Sequence, residues 1–197
     1  MAGFGAFGKM PALGDFFRIG LAPGFTDPWD AWLQSGLLAL GSALGPDWQA
    51  LYLSAPIWRF TLSAGVAGPQ AAQGVLMPSV DRVGRQFPLT LAQLLPGTPE
   101  ARQTHDAASG SFETLEDIAL DTLDGMGRDV LAQRLASLAL PSAVTGPPSR
   151  RTVWSAVLPD GLRHLETEGL PGLSQLHALY DPDAPFWQMP AAEEARP

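Results

Sequence analysis

The sequence predicts a single α/β domain around a mainly antiparallel, mixed sheet. Two amphipathic helical patterns alternate with short apolar runs that have the composition of buried strands. Three of these runs follow one another with short connections, which is typical of an antiparallel meander. Since 46% of the 197 residues are hydrophobic, one large core is expected, with a domain over residues 1–184 and an extended or disordered tail over 185–197.

Charge and composition exclude several function classes. The formal net charge is −8, and Lys9 is the one lysine among 12 basic residues. This balance disfavours sequence-independent binding to nucleic acid or anionic lipid. The absence of cysteine excludes disulfides and thiolate chemistry. The sequence shows neither a secretory leader nor an apolar run of the roughly 18 residues that a membrane span needs. We therefore expect a cytoplasmic protein with no membrane insertion.

The first strand is expected at the glycine-rich stretch GFGAFGKM, residues 3–10. It contains a GxGxxG and a GxxxxGK, but Met10 stands where a phosphate-binding loop needs Ser or Thr, and only two residues precede Gly3. Its glycines instead suit close strand packing. The following segment, 14–25, is interpreted as a loop whose Phe16 and Phe17 anchor the core.

A first helix is predicted to begin at Asp27, as the cap, and Pro28, in the first helical position. Apolar residues recur behind it at helical spacing, so one stripe is expected to be buried. Gly45 and Pro46 end this pattern, and a short second helix is expected over 47–53. The stripe consists of Trp29, Trp32, Leu33, Gly36, Leu37, Leu40 and Leu44.

Three strands are then predicted. Residues 55–63 alternate as in a strand with one buried face, and 74–79 with 86–95 form a hairpin in which Gly84 supplies a positive φ. Pro78 and Pro88 each remove a ladder donor and are expected at bulges, strand ends or an edge.

The connector of this hairpin is the candidate functional site. It carries Asp81, Arg82 and Arg85, and these arginines can either contact a partner or brace the loop that holds Asp15 and Arg18 from inside the fold. These five residues are therefore candidates for partner binding or for a structural clamp.

The C-terminal half is predicted as a polar surface linker over 96–110, a long helix from Ser111 that ends at Pro141, strands over 151–158 and 162–167, and a last helix over 172–180. Gly125 and Gly127 are expected to kink or split the long helix. Its acidic outer side is interpreted as a solvated face. That side carries Glu113, Glu116, Asp117, Asp121, Asp124 and Asp129.

No reaction centre is indicated. His105, His164 and His177 lack any metal or catalytic spacing and are interpreted as structural or surface residues. The pair Asp181 and Asp183 is a weak metal signal. No enzyme activity, cofactor or metal is expected.

Several motifs together resemble the TagF (ImpM) family of accessory proteins of bacterial type VI secretion systems. They span residues 3–95 and include GKMP at 8–11, GDF at 14–16, DPWDAWL at 27–33, PIWRF at 56–60 and the hairpin from Met77 to Pro88. Relatives often carry an aromatic where this chain has Gln86. The resemblance implies a three-layer α/β/α sandwich. It also implies a post-translational negative regulator that binds the forkhead-associated-domain scaffold protein of the secretion system.

The residues leave a second hypothesis open. Lys9, Arg82 and Arg85 could form an anion pocket in a ligand- or nucleotide-responsive domain. The family has no established catalytic residues, so the resemblance adds none. Neither the regulator hypothesis nor the ligand-binding hypothesis predicts an oligomeric state.

Overall fold

The computed structural model describes residues 3–139 and 143–188 as a seven-stranded sheet covered by helices on both faces. The strands are β1 Phe4–Gly8, β2 Phe17–Ile19, β3 Trp58–Leu62, β4 Ala71–Met77, β5 Leu89–Leu95, β6 Arg151–Leu158 and β7 Gly161–Glu168. The helices are α1 Pro23–Leu44, α2 Trp48–Ser54, α3 Ala101–Ala107, α4 Ser109–Asp121, α5 Arg128–Ala136, α6 Leu173–Tyr180 and α7 Pro185–Gln188.

The strand order is β2-β1-β5-β4-β3-β6-β7, and every pairing of these named strands is antiparallel. The predicted meander is confirmed as β3-β4-β5, while the expected mixed character of the sheet is not seen. Pro78 and Pro88 lie directly outside the strand ends at Met77 and Leu89, where their missing N–H groups cost no ladder hydrogen bond.

Two hydrophobic cores lie on opposite faces of the sheet, so the three-layer α/β/α arrangement is confirmed. One core is formed with α1, α2 and α6, and the other with α4 and α5. Strand β3 is buried on both faces, which corrects the expectation of one buried face. Its apolar residues Trp58, Phe60 and Leu62 pack towards α1, while Arg59 and Thr61 are covered by α4 and α3.

The first helix begins at Pro23, five residues before Pro28, the predicted first helical position. Pro23 occupies an N-terminal helical position, where no donor is needed, and Pro28 lies inside the helix without ending it. Asp27 therefore is not the cap. Burial of Phe25 and Trp29 against the sheet stabilises this first turn.

Three elements were not predicted, namely β2 in the segment expected to be a loop, α3 in the segment expected to be a linker and α7 in the expected tail. The long helix is split, as one of the expected alternatives, at Gly125, which has a φ of 85°. Its expected end at Pro141 lies outside the described residues.

The expected tail begins with ordered structure. Residues Pro185–Gln188 form α7, and Trp187 stacks on Trp58 at 6.0 Å between ring centroids and donates from Nε1 to the Ala178 carbonyl at 3.0 Å. Aromatic burial therefore extends the folded region past residue 184, whereas residues 189–197 lie outside the described part. None of the helices within the described ranges is both long and apolar enough to cross a bilayer.

Candidate functional site

The candidate site is built on the connection between β4 and β5, which is a tight turn closed by its own backbone. The Asp81 N–H donates to the Arg85 carbonyl at 3.1 Å, and the Gly84 N–H donates to the Asp81 carbonyl at 2.9 Å. Gly84 has a φ of 84°, as the sequence predicted, because this turn needs a left-handed residue. The turn presents Val83 at its tip with 70% exposure.

Asp81 is the centre of the turn and is only 2% exposed. Its Oδ1 accepts from the backbone N–H groups of Val83 at 3.0 Å and Arg85 at 2.9 Å. Its Oδ2 lies 2.6 Å from Arg85 Nε and 3.1 Å from Lys9 Nζ. Burial by itself would raise the pKa of Asp81, but the donors from Arg85, Lys9 and Val83 outweigh it and hold the pKa well below its usual value.

The same turn braces the loop that follows β1. The Arg82 N–H donates to the Leu13 carbonyl at 2.8 Å, and Arg85 Nη2 donates to the Gly14 carbonyl. Arg85 Nη2 also lies 3.4 Å from Asp15, whose side chain is 93% exposed. Arg85 thus links the buried carboxylate of the turn to the neighbouring loop.

The structure brings four of the five predicted site residues together, namely Asp15, Asp81, Arg82 and Arg85. The Arg82 guanidinium is exposed and forms no ion pair or side-chain hydrogen bond with any residue in the described ranges. Arg18 lies on β2 at the other flank of the loop, where its Nη1 donates to Thr26 Oγ1 at 3.3 Å. It makes no contact with Asp81.

The geometry argues against the anion pocket at Lys9, Arg82 and Arg85. Lys9 is 6% exposed and shares Asp81 with Arg85, so this carboxylate occupies the place that an anionic ligand would take. Among the three cations, Arg82 alone is left available.

Sequence reasoning missed two residues beside this site. Phe16 was expected in the core, yet it is 49% exposed and packs on Phe87 with 4.7 Å between ring centroids. Arg128 at the start of α5 donates from Nη2 to the Arg18 carbonyl at 3.2 Å. The three residues of β2 are too few to show the alternation that would have marked Phe16 as exposed. No local signal indicates Arg128, which is 110 residues distant from Arg18 along the chain.

An open groove of about 460 Å³ runs between this loop and α5. We call it the arginine groove, and it is lined by Leu13, Gly14, Asp15, Phe16, Phe17, Arg18 and Arg128. A Cβ added at Gly14 would lie 3.2 Å from Arg82 Nη2, so the Arg82 guanidinium sits over Gly14 at the rim of the groove.

A second polar group lies inside the fold. His105 Nε2 is 2.8 Å from Ser155 Oγ, and His105 Nδ1 is 3.0 Å from Thr61 Oγ1. All three side chains are at most 3% exposed, and burial lowers the pKa of His105 to about 4. These hydrogen bonds tie α3 to the sheet. In the portions of the chain that are described, no group of three or more His, Asp or Glu could hold a metal ion.

Comparisons with known proteins agree with the motifs. Residues 5–138 match the model of the TagF N-terminal domain, described as type VI secretion system-associated. The crystal structure of PA0076 from Pseudomonas aeruginosa PAO1 is similar to this chain with a TM-score of 0.83 and 31% sequence identity, covering 91% of this chain and 94% of that one. No curated protein matches the chain. The chain therefore belongs to the TagF family of type VI secretion system-associated proteins.

Proposed function

We propose that this protein is a post-translational negative regulator of type VI secretion that acts by binding the forkhead-associated-domain scaffold protein of the system. The observation that carries the proposal is the family match over residues 5–138, which makes it a type VI secretion accessory protein. The scaffold partner and the direction of the effect follow from the resemblance of the motifs described above. This role places the protein in the cytoplasm.

The geometry supports a binding role without catalysis. The side chains that could have formed a nucleophile and base pair, Ser155 and His105, are buried between α3 and the sheet and hold these elements together. The exposed polar side chains around the arginine groove instead lie on a braced loop and on β2, the β4-β5 turn and α5 beside it, as expected for a protein contact.

The proposal is tested by two linked measurements, one with purified components and one in the native host. The tagged protein should capture the cognate scaffold from purified components, and deletion of its gene should increase effector release, with the wild-type copy restoring repression. If the scaffold does not bind the purified protein and effector release is unchanged by the deletion, the proposed function is wrong.

A further inference from the structure

The arginines that lack a carboxylate partner are concentrated in one place. Among the arginines in the described ranges, Arg18, Arg82, Arg128 and Arg150 take part in no ion pair. Three of these four surround the arginine groove, although the chain as a whole has a net charge of −8. The paired ones are Arg59, Arg85, Arg102, Arg134, Arg151 and Arg163.

The groove combines these cations with an aromatic floor. Phe16 exposes about half of its surface and is held from behind by Phe87 and by Lys9 Nζ, which lies 4.9 Å from the Phe16 ring centroid. Asp15 is the one carboxylate in the lining, and it lies 3.4 Å from Arg85. The open cations of the groove are therefore not neutralised from within it.

The groove is also held in shape by hydrogen bonds from the β4-β5 turn, which is organised by the buried carboxylate of Asp81. Arg82 and Arg85 fix the carbonyls of Leu13 and Gly14, and Arg85 is itself fixed by Asp81. A loop that is already ordered loses less conformational freedom on binding, which favours a specific contact.

We propose that the arginine groove binds an acidic segment of a protein partner, with carboxylates paired to Arg18, Arg82 and Arg128 and an apolar side chain packed on Phe16. This deepens the proposed function, since it rests on the partner being a protein of the secretion system. The three guanidinium groups are mounted on β2, the β4-β5 turn and α5, so they suit several separate charges better than one phosphate. The acidic character of the whole molecule disfavours a membrane surface.

The test uses the full chain and a synthetic peptide in which glutamates flank a central Leu-Phe pair. We expect this peptide to bind the wild type, to bind more weakly as salt is added, and to lose affinity about tenfold or more with Arg82→Ala combined with Arg128→Ala. Arg150→Ala is the matched control, because Arg150 is also exposed and pairs with no carboxylate of the described residues, but it precedes β6 in the other half of the sheet. This control should bind the peptide as the wild type does. Circular dichroism should show native folding for both variants.

Several outcomes would overturn the inference. One is equal binding of a peptide with glutamine in place of glutamate, and another is unchanged affinity in the double variant. Failure of the acidic peptide to bind the wild type also overturns it, including cases where a phosphoserine peptide or phosphatidylserine vesicles bind through the same arginines.

The scaffold experiment separates this inference from the proposed function. If the scaffold binds the wild type and the Arg82→Ala, Arg128→Ala variant equally, the proposed function stands and the groove is not its site. If the acidic peptide binds through the groove while the scaffold does not bind, the groove is an acidic-segment site and the proposed partner is wrong.

Discussion

Asp81 shows how one carboxylate organises a surface that it does not itself reach. It accepts two backbone donors within its own turn and two cations, from Lys9 and from Arg85. A buried carboxylate is stable only with such compensation, and here the compensation extends to the loop at Gly14. The hydrogen bonds and ion pairs of Asp81 therefore fix the positions of the exposed residues around it.

Replacing Asp81 with asparagine should therefore loosen the neighbouring loop. Asp81→Asn leaves Lys9 and Arg85 without their shared negative charge, so we expect a lower melting temperature and faster tryptic cleavage after Arg18. The matched control is Asp15→Asn, because the side chain of Asp15 is 93% exposed and should contribute little. Equal melting temperatures for the two variants would contradict this role of Asp81.

The lowered pKa of the buried His105 predicts that the protein is less stable in mild acid. The pKa of about 4 in the folded protein lies below the usual histidine value of 6.5, so the unfolded chain binds more protons between these pH values. The free energy of unfolding therefore decreases by roughly 2–3 kcal/mol as pH falls from neutral towards about 4.5. Nearby Asp106 opposes this shift, while His164, Arg102 and Arg59 add to it.

Urea unfolding across this pH range measures the effect. His105→Gln removes the titrating ring, and its free energy of unfolding should depend less on pH than that of the wild type. The control is His164→Gln, because His164 is exposed on β7 and lowers the pKa of His105 less than burial does, so most of the pH dependence should remain. If the wild type and His105→Gln lose stability in parallel, a different group is responsible.

At the scale of single residues, the sequence predicted the candidate site only where the residues of the site are close together in the chain. Asp81, Arg82 and Arg85 share one turn, and their types and spacing suggested a clamp before any contact was known. The partnership of Lys9 with Asp81 and the approach of Arg128 to Arg18 depend on β1 and α5 packing at the same edge. Contacts of this kind leave no pattern in the local sequence from which they could be predicted.

At the scale of elements, α1 and α6 show how a missing side chain permits close packing. Leu176 of α6 is 1% exposed, and its Cδ2 would lie 2.1 Å from a Cβ built on Gly36. Next to this contact, Trp32 Nε1 donates to the Pro171 carbonyl at 2.9 Å. The glycine in the apolar stripe is thus a packing position between two helices.

Gly36→Ala should destabilise the protein although alanine is the better helix former. Overpacking a fitted contact costs about 1–3 kcal/mol, whereas the gain in helix propensity is at most about 1 kcal/mol. Gly110→Ala in α4 is the matched control, since a Cβ there meets nothing within 4 Å and should leave stability equal or higher. Denaturant midpoints would compare the two variants. A stabilised Gly36→Ala would show that Leu176 moves aside at no cost.

Elements with a strong apolar period were predictable, and elements held by polar contacts were not. Helix α3 has the sequence ARQTHDA, and its buried face includes Thr104 and His105. It is fixed by hydrogen bonds to the sheet and by Glu100, which accepts from the N–H groups of Arg102 and Gln103. Strand β2 has only three residues, too few for a visible alternation.

At the scale of the whole molecule, the tryptophans are distributed unevenly between the two cores. All six lie on the side of the sheet that carries α1, either buried in that core or packed against it, and the core beneath α4 and α5 contains none. Tryptophan fluorescence therefore reports on one layer, whereas far-ultraviolet circular dichroism reports on all helices and strands. These residues are Trp29, Trp32, Trp48, Trp58, Trp154 and Trp187.

Because both layers pack on the same strands, we expect fluorescence and circular dichroism to give one coincident unfolding transition in urea. The central strands β3, β4 and β5 contribute to both faces, so neither layer retains its support when the other is lost. A fluorescence transition that precedes the loss of circular dichroism would contradict this coupling and show that the layers unfold separately.

The complete strand order could not be predicted from local sequence patterns. Hairpin spacing identified β4 with β5 and β6 with β7, since short connections leave few alternatives. The pairing of β1 with β5 and of β6 with β3 joins residues that are far apart in the chain, such as Phe4 with Gln93 and Arg59 with Ser155. The layered arrangement was available only through the resemblance to a family.

The two open edges of the sheet bear on how the protein behaves when it is concentrated. An unpaired strand can template the addition of another molecule, and long, flat, apolar edges are the most prone to this. Here one edge is β2, which is only three residues long, and the other is β7, which carries Arg163, Glu166 and Glu168. A short edge and a charged edge both resist growth into a continuous intermolecular sheet, so the fold protects itself against fibril formation at its two ends.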